Sequence, residues 1–125
     1  ARDMKTRKRG KIINIASAYS VLGGLNVSAY TASKGAVAQL TKALSNELAS
    51  SGININAIIP GYVRTKLNKH IWDEPVRAKE VLGRIPAGRW GEPNDIAGGA
   101  IFLASYLSDY CNGAIIPVDG GFLAR

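Results

Sequence analysis

The sequence predicts an α/β fold, a parallel sheet of three strands with covering helices. Three short apolar, β-branched runs, at 11–15, 53–59 and 114–118, read as buried strands. Segments with helical character separate them, and strand-helix-strand alternation is the pattern of a parallel sheet. No internal repeat, low-complexity tract or linker divides the 125 residues, so residues 1–125 read as part of one domain.

Residues 1–9 read as the end of a helix, with Gly10 as its stop. Lys11-Ile12-Ile13-Asn14-Ile15 is the first strand. Ala16 to Val27 is a loop of small and polar residues with a turn at Gly23-Gly24. From Ser28 to Ser50, Ala29, Ala32, Ala36, Val37, Leu40, Ala43, Leu44 and Leu48 form an apolar stripe at helical spacing. Gly35 inside it costs about 1 kcal/mol against Ala and so predicts a place of close packing. Ser51-Gly52 ends the helix, Ile53 to Ile59 forms the second strand, and Pro60-Gly61 stops it. Residues 62–92 are irregular apart from a short helix expected near 74–82. Pro93 suits a first helical turn, and that helix runs to about Ser105. Gly113 opens the third strand, and Asp119-Gly120-Gly121 closes it.

Hydrophobic residues make up 46% and charged residues 20%, the balance of a globular chain. No apolar run approaches the ~20 residues that cross a bilayer, so no membrane partner is expected. Cys111 and His70 stand alone of their kinds, which rules out an internal disulfide and a tetrahedral His/Cys metal site. A single cysteine fits a reducing compartment, and a cytoplasmic location is expected. The formal charge of +7 is concentrated at one end: Arg2, Lys5, Arg7, Lys8, Arg9 and Lys11 against Asp3. Without an aromatic platform or a nucleic-acid module, that cluster reads as cations at a helix end meeting its dipole. No nucleic-acid partner is expected.

Tyr30 and Lys34 lie four apart on a predicted helix and so project from one face. They follow a strand and a small-residue loop that brings Ser17. An ammonium beside a phenol favours the phenolate, which suits Tyr30 to passing a proton to or from a substrate oxygen. Ser17 suits holding that oxygen as charge develops on it. Taken by themselves, Tyr30 and Lys34 fit a core tyrosine beside an exposed lysine better than a catalytic pair. A Ser-His-Asp hydrolase has only His70, in a loop, and no Gly-x-Ser-x-Gly elbow. A Ser-x-x-Lys dyad at Lys34 fails because Thr31 occupies the serine position.

Gly10-Lys11-Ile12-Ile13-Asn14-Ile15-Ala16-Ser17, Ser28-Ala29-Tyr30-Thr31-Ala32-Ser33-Lys34 and Asn56-Ala57-Ile58-Ile59-Pro60-Gly61-Tyr62-Val63-Arg64-Thr65 resemble successive signatures of the short-chain dehydrogenase/reductases. Gly113 to Gly121 resembles that family's last strand and Asp-Gly-Gly ending. The resemblance covers essentially the whole chain, in order and at the family's spacing. It implies that Ser17 orients the substrate carbonyl or hydroxyl, Tyr30 is the general acid/base, and Lys34 assists Tyr30 and holds the nicotinamide ribose. It also implies an NAD or NADP cofactor, with Pro60, Gly61 and Val63 lining its nicotinamide side and Thr65 bonding its carboxamide or phosphate. Residues 62–92 would form the substrate-covering segment.

Arg84-Ile85-Pro86-Ala87-Gly88-Arg89-Trp90-Gly91 and Val118 to Arg125 look most like the family's sugar-acid dehydrogenases, gluconate 5-dehydrogenases and 2-keto-3-deoxygluconate dehydrogenases among them. A small alcohol or ketone substrate follows, with Arg64, Lys66, Lys69 and Arg89 as candidates to meet its carboxylate or as ordinary surface charge. The resemblance further implies a homo-oligomer, dimer or tetramer, associating through the helix at 28–50 and the strand at 114–118. The family's glycine-rich phosphate turn is missing: no Gly-x-Gly occurs in this sequence. Its catalytic asparagine and amino-terminal strands have no counterpart here either. The resemblance therefore implies the carboxy-terminal part of a Rossmann-like, doubly wound parallel sheet, half of such a subunit, inactive alone or, on the rival reading, a truncated form keeping only its association surfaces.

Overall fold

The computed structural model describes residues 1–124, so Arg125 at the end of the compared segment lies outside them. Its helices are α1 (Arg2–Arg7), α2 (Ser28–Leu48), α3 (Lys69–Trp72), α4 (Pro75–Leu82) and α5 (Pro93–Ala104), and its strands are β1 (Gly10–Ile15), β2 (Ile53–Pro60) and β3 (Ile115–Val118). The strands form one parallel sheet in the order β1-β2-β3. Gly10 to Ile15 run beside Ile53 to Ile58, and Ala57 to Pro60 run beside Ile115 to Val118.

Strand β2 is central and covered on both faces, which explains its nearly continuous apolar sequence. Alternate residues face α2: Ile53 and Ile55 pack with Leu48, Leu44, Ile12 and Met4, while Ala57 and Ile59 pack with Ala16, Val37 and Ile115. On the opposite face α5 approaches so closely that a Cβ on Gly99 would lie 3.1 Å from Val118 Cγ2 and 3.6 Å from Ile58 Cδ1. Beneath the carboxyl end of α5, Lys11 Nζ pairs with Asp109 at 2.7 Å and donates to Ser108 Oγ at 3.1 Å.

Strand β3 is shorter than β2, and two asparagine side chains continue its ladder. Asn112 Oδ1 accepts from the Ile55 N–H at 2.8 Å while its Nδ2 donates to the Ile53 carbonyl at 3.1 Å. Buried Asn56 accepts from the Ala114 N–H at 2.9 Å and donates to the Cys111 carbonyl at 2.9 Å. Backbone groups that would otherwise be orphaned in the interior are thereby satisfied.

A third apolar cluster, Val81, Ile85, Trp90 and Phe122, sits by the carboxyl ends of β2 and β3 with Tyr62, Ile71 and Trp72 around it. It anchors α4, whose first turn is capped by Glu74 accepting from the Val76 and Arg77 N–H groups at 3.1 and 2.7 Å. Most of the segment 62–92 is thus folded onto the sheet's carboxyl edge.

Three local expectations are corrected. Helix α1 stops at Lys8, left-handed at φ 51°, and Gly10 begins β1 instead. Gly35 does not mark close packing, because a Cβ there would meet nothing within 4 Å. The segment after β2 holds the additional short helix α3, whose four residues are too few to show a periodicity. Gly52 does end its helical segment in the left-handed region at φ 74°, where a Cβ would lie 2.1 Å from the Lys8 carbonyl oxygen.

Candidate active site

Parallel strands deliver the ends of β1 and β2 to one edge of the sheet, and the candidate residues fall into two groups along it. The first group follows β1. Ser17 is extended at φ −158° and ψ 159°, and its Oγ accepts from the Tyr19 N–H at 3.2 Å. Ser20 Oγ accepts from the Ser17 N–H at 3.2 Å and donates to the Lys34 carbonyl at 2.7 Å, tying the serine loop to α2.

Lys34 projects back across the gap between helix and strand. Its Nζ donates to the carbonyl oxygen of Ile15, the last residue of β1, at 2.8 Å and lies 5.9 Å from the Tyr30 ring centroid. Tyr30 sits one helical turn earlier, is 46% exposed, and meets Tyr19 edge-on with centroids 6.1 Å apart. Ser17, Tyr30 and Lys34 are therefore gathered at the carboxyl end of β1.

Pro60, Gly61, Val63 and Thr65 form the second group. Gly61 donates its N–H to the Val118 carbonyl at 3.0 Å, and a Cβ there would stand 2.5 Å from Asp119 Cα. Buried Val63 bridges to Gly91 and accepts from Asn68 Nδ2 at 3.0 Å, while its own N–H has no partner among the described residues. Thr65 precedes a short 3-10 turn without capping it, and its hydroxyl makes no hydrogen bond to the described residues. No hydrogen bond links the two groups among the described residues.

The cations nominated for a carboxylate are largely committed elsewhere. Arg89 grips Asp95 through two bonds of 2.7 and 2.8 Å. That guanidinium, helped by the Glu92 N–H, holds the Asp95 carboxyl well below the usual carboxylate range. Lys69 pairs with Asp73, and Arg64 lies 6.0 Å over the Trp72 ring. Lys66 remains exposed.

Sequence reasoning missed the aromatic wall beside the site. Tyr62 meets Trp90 and Phe122 edge-on at 5.6 and 5.3 Å. Burial, then the neighbouring Tyr19 phenol, pushes the Tyr62 phenol up in pKa, while Arg77 and Arg84 pull it down. Rings brought together from three distant segments leave no periodic signal that could have found them. A cavity of about 250 Å³ opens beside this wall, lined by Gly61, Tyr62, Val63, Arg89 and Asp119 among others. Among the described residues no group of His, Cys, Asp and Glu could hold a metal ion, and no helix is long and apolar enough to cross a membrane.

A family model described as enoyl-(acyl carrier protein) reductase matches residues 1–123. The chain is 59% identical over 99% of its length to 2-dehydro-3-deoxy-D-gluconate 5-dehydrogenase of Bacillus subtilis, covering 49% of that protein. It is 44% identical over 98% of its length to 5-keto-D-gluconate 5-reductase of Escherichia coli, covering 48% of that protein. The crystal structure of a gluconate 5-dehydrogenase from Burkholderia cenocepacia, in complex with NADP and tartrate, superposes with a TM-score of 0.96 at 44% identity, over 99% of this chain and 49% of that one. The chain spans about half the length of the relatives it matches. With a family match over nearly its whole length and the same parallel architecture, this chain belongs to the short-chain dehydrogenase/reductase family.

Proposed function

We propose that this chain supplies the catalytic half of an NAD(P)-dependent oxidoreductase that interconverts a secondary alcohol and a ketone on a sugar acid. The observation that carries the reading is the Lys34 ammonium, fixed on the Ile15 carbonyl at 2.8 Å, one helical turn from Tyr30 and beside the Ser17 loop. An exposed phenol with a fixed positive charge nearby is equipped to exchange a proton with a substrate oxygen. Ser17 Oγ, accepting from the Tyr19 N–H, keeps its own hydrogen for that oxygen. During reduction Tyr30 gives its proton to the developing alkoxide and the Lys34 charge stabilises the phenolate left behind. In oxidation the same proton returns to Tyr30.

The residues present fit the nicotinamide end of the cofactor, which when bound supplies or accepts the hydride. Lys34 uses one of its three N–H donors on Ile15 and has others for a ribose diol. The unpartnered Val63 N–H and Thr65 hydroxyl suit a carboxamide or phosphate, and Pro60 and Gly61 form the adjacent turn. The relatives' names favour a sugar acid, and NADP in the Burkholderia structure supports a nicotinamide dinucleotide.

The reading is tested in a complete subunit, this chain joined to the amino-terminal portion of the Bacillus subtilis relative. Reduction of 5-keto-D-gluconate is followed by loss of NADPH or NADH absorbance. Turnover with either cofactor is expected. A folded, cofactor-binding subunit that reduces no sugar keto acid would overturn the reading.

A second reading, a chain keeping association surfaces without catalysis, draws on the exposed Leu40 of α2 and Ile101 of α5, at 52% and 69%. Both readings accommodate a homodimer or homotetramer. They part on cofactor binding, which the second does not require.

A further inference from the structure

The ladder between β1 and β2 ends one residue before Ser17. The Ala16 N–H still donates to the Ile58 carbonyl at 2.8 Å, and the next N–H, that of Ser17, has left the sheet. Its acceptor is Ser20 Oγ at 3.2 Å, and it has no other partner among the described residues. Ser20 in turn donates its hydroxyl hydrogen to the Lys34 carbonyl at 2.7 Å, 14 residues along the chain. One hydroxyl thus accepts on one side and donates on the other, joining the serine loop to α2.

Lys34 meets this strand end twice. Its carbonyl takes the Ser20 hydroxyl, and its Nζ donates to the Ile15 carbonyl at 2.8 Å. Ile15, Ser17, Ser20 and Lys34 therefore close a circuit of backbone and hydrogen bonds with Ser17 inside it. Opening the circuit at Ser20 releases the Ser17 backbone and leaves the Lys34 ammonium on Ile15. Ser33 offers a contrast. Its Oγ donates to the Tyr30 carbonyl at 2.7 Å, three residues back in the same helix, and so joins α2 only to itself.

We propose that Ser20 is a positioning residue for the reaction. It acts through Ser17, fixing where that hydroxyl stands against Tyr30. Such register matters because a misplacement of about 1 Å can cost on the order of 100-fold in rate. This assignment rests on the dehydrogenase reading above.

The test follows reduction of 5-keto-D-gluconate by the complete subunit, unsubstituted and as Ser20→Ala, Ser20→Thr and Ser33→Ala. Circular dichroism confirms that each variant folds. Should Ser20→Ala not fold, Ser20→Cys takes its place, keeping the shape with only a weak donor. Ser20→Ala is expected to lower kcat by about 10- to 100-fold. NADPH binding should be unchanged, because the Lys34 bond to Ile15 survives. Ser20→Thr retains the hydroxyl and should recover most of kcat. Ser33→Ala loses a helix-carbonyl bond of the same length and should leave kcat unchanged. An unsubstituted kcat or a matching loss of NADPH binding in Ser20→Ala would overturn the proposal while leaving the dehydrogenase reading intact. So would no recovery in Ser20→Thr, or an equal fall in Ser33→Ala. An unsubstituted subunit that turns over no sugar keto acid would overturn both.

Discussion

Lys34 Nζ and the carbonyl oxygen of Ile15 are 2.8 Å apart, so the end of β1 holds the ammonium beside Tyr30. A lysine has a long, flexible stem and loses rotamer freedom when fixed. Here one strand carbonyl directs it, and the sequence distance of nineteen residues is closed by the packing of α2 on the sheet. Lys34→Met keeps the stem and removes both the bond and the charge. In the complete subunit it should weaken NADPH binding by about 10- to 150-fold, the range for a hydrogen bond to a charged group. Nicotinamide fluorescence titration checks this.

Asn56 bears on stability and not on cofactor binding. Its side chain joins the Ala114 N–H and the Cys111 carbonyl in the interior, both at 2.9 Å. Asn56→Leu keeps the branched side-chain shape but strands both groups, and it should cost about 2–6 kcal/mol, at roughly 1–3 kcal/mol for each orphaned group. Urea unfolding of the complete subunit should show a lower midpoint at an unchanged slope.

Asp95 predicts a pH dependence. Arg89 lowers its folded-state pKa below that of an unfolded aspartate, so the unfolded chain takes up the proton first as pH falls. The pair's stabilising contribution is fully present above the unfolded value of about 3.9 and is lost as pH falls through the depressed folded value. Asp95→Asn should therefore flatten the stability curve below about pH 4 and leave the slope near neutrality unchanged. Thermal unfolding from pH 7 to pH 2 measures it.

Much of this architecture was legible in the sequence because it is local. Ile12 to Ile15 and Ile53 to Ile59 reveal strands by β-branched runs, and α2 reveals itself by its stripe. The four-residue spacing of Tyr30 and Lys34 is likewise a one-helix property. What escaped depends on contacts between distant segments. Asn112 and Asn56 matter because β3 is shorter than β2, and nothing in either residue's neighbourhood announces that. Arg89 looked free for a substrate until the turn before α5 brought Asp95 against it. Tyr19, Tyr62, Phe122 and Arg84 come from four parts of the chain and meet only in the folded state.

Strand β1 pairs with β2 on one side, and among the described strands its other edge has no neighbour. Ile15 on it is 50% exposed. An open strand edge recruits another strand. The isolated 125-residue chain should therefore self-associate with rising concentration, as light scattering would register. A monomer over the whole range would show that the edge is protected.

The role of Tyr30 is tested most directly by the rate at which the complete subunit reduces 5-keto-D-gluconate before and after Tyr30→Phe, which removes only the phenolic hydroxyl. If Tyr30 is the proton donor, kcat falls by about 10²- to 10⁴-fold while NADPH binding persists. A Tyr30→Phe subunit that keeps the unsubstituted kcat would contradict the assignment and remove this tyrosine from the chemistry.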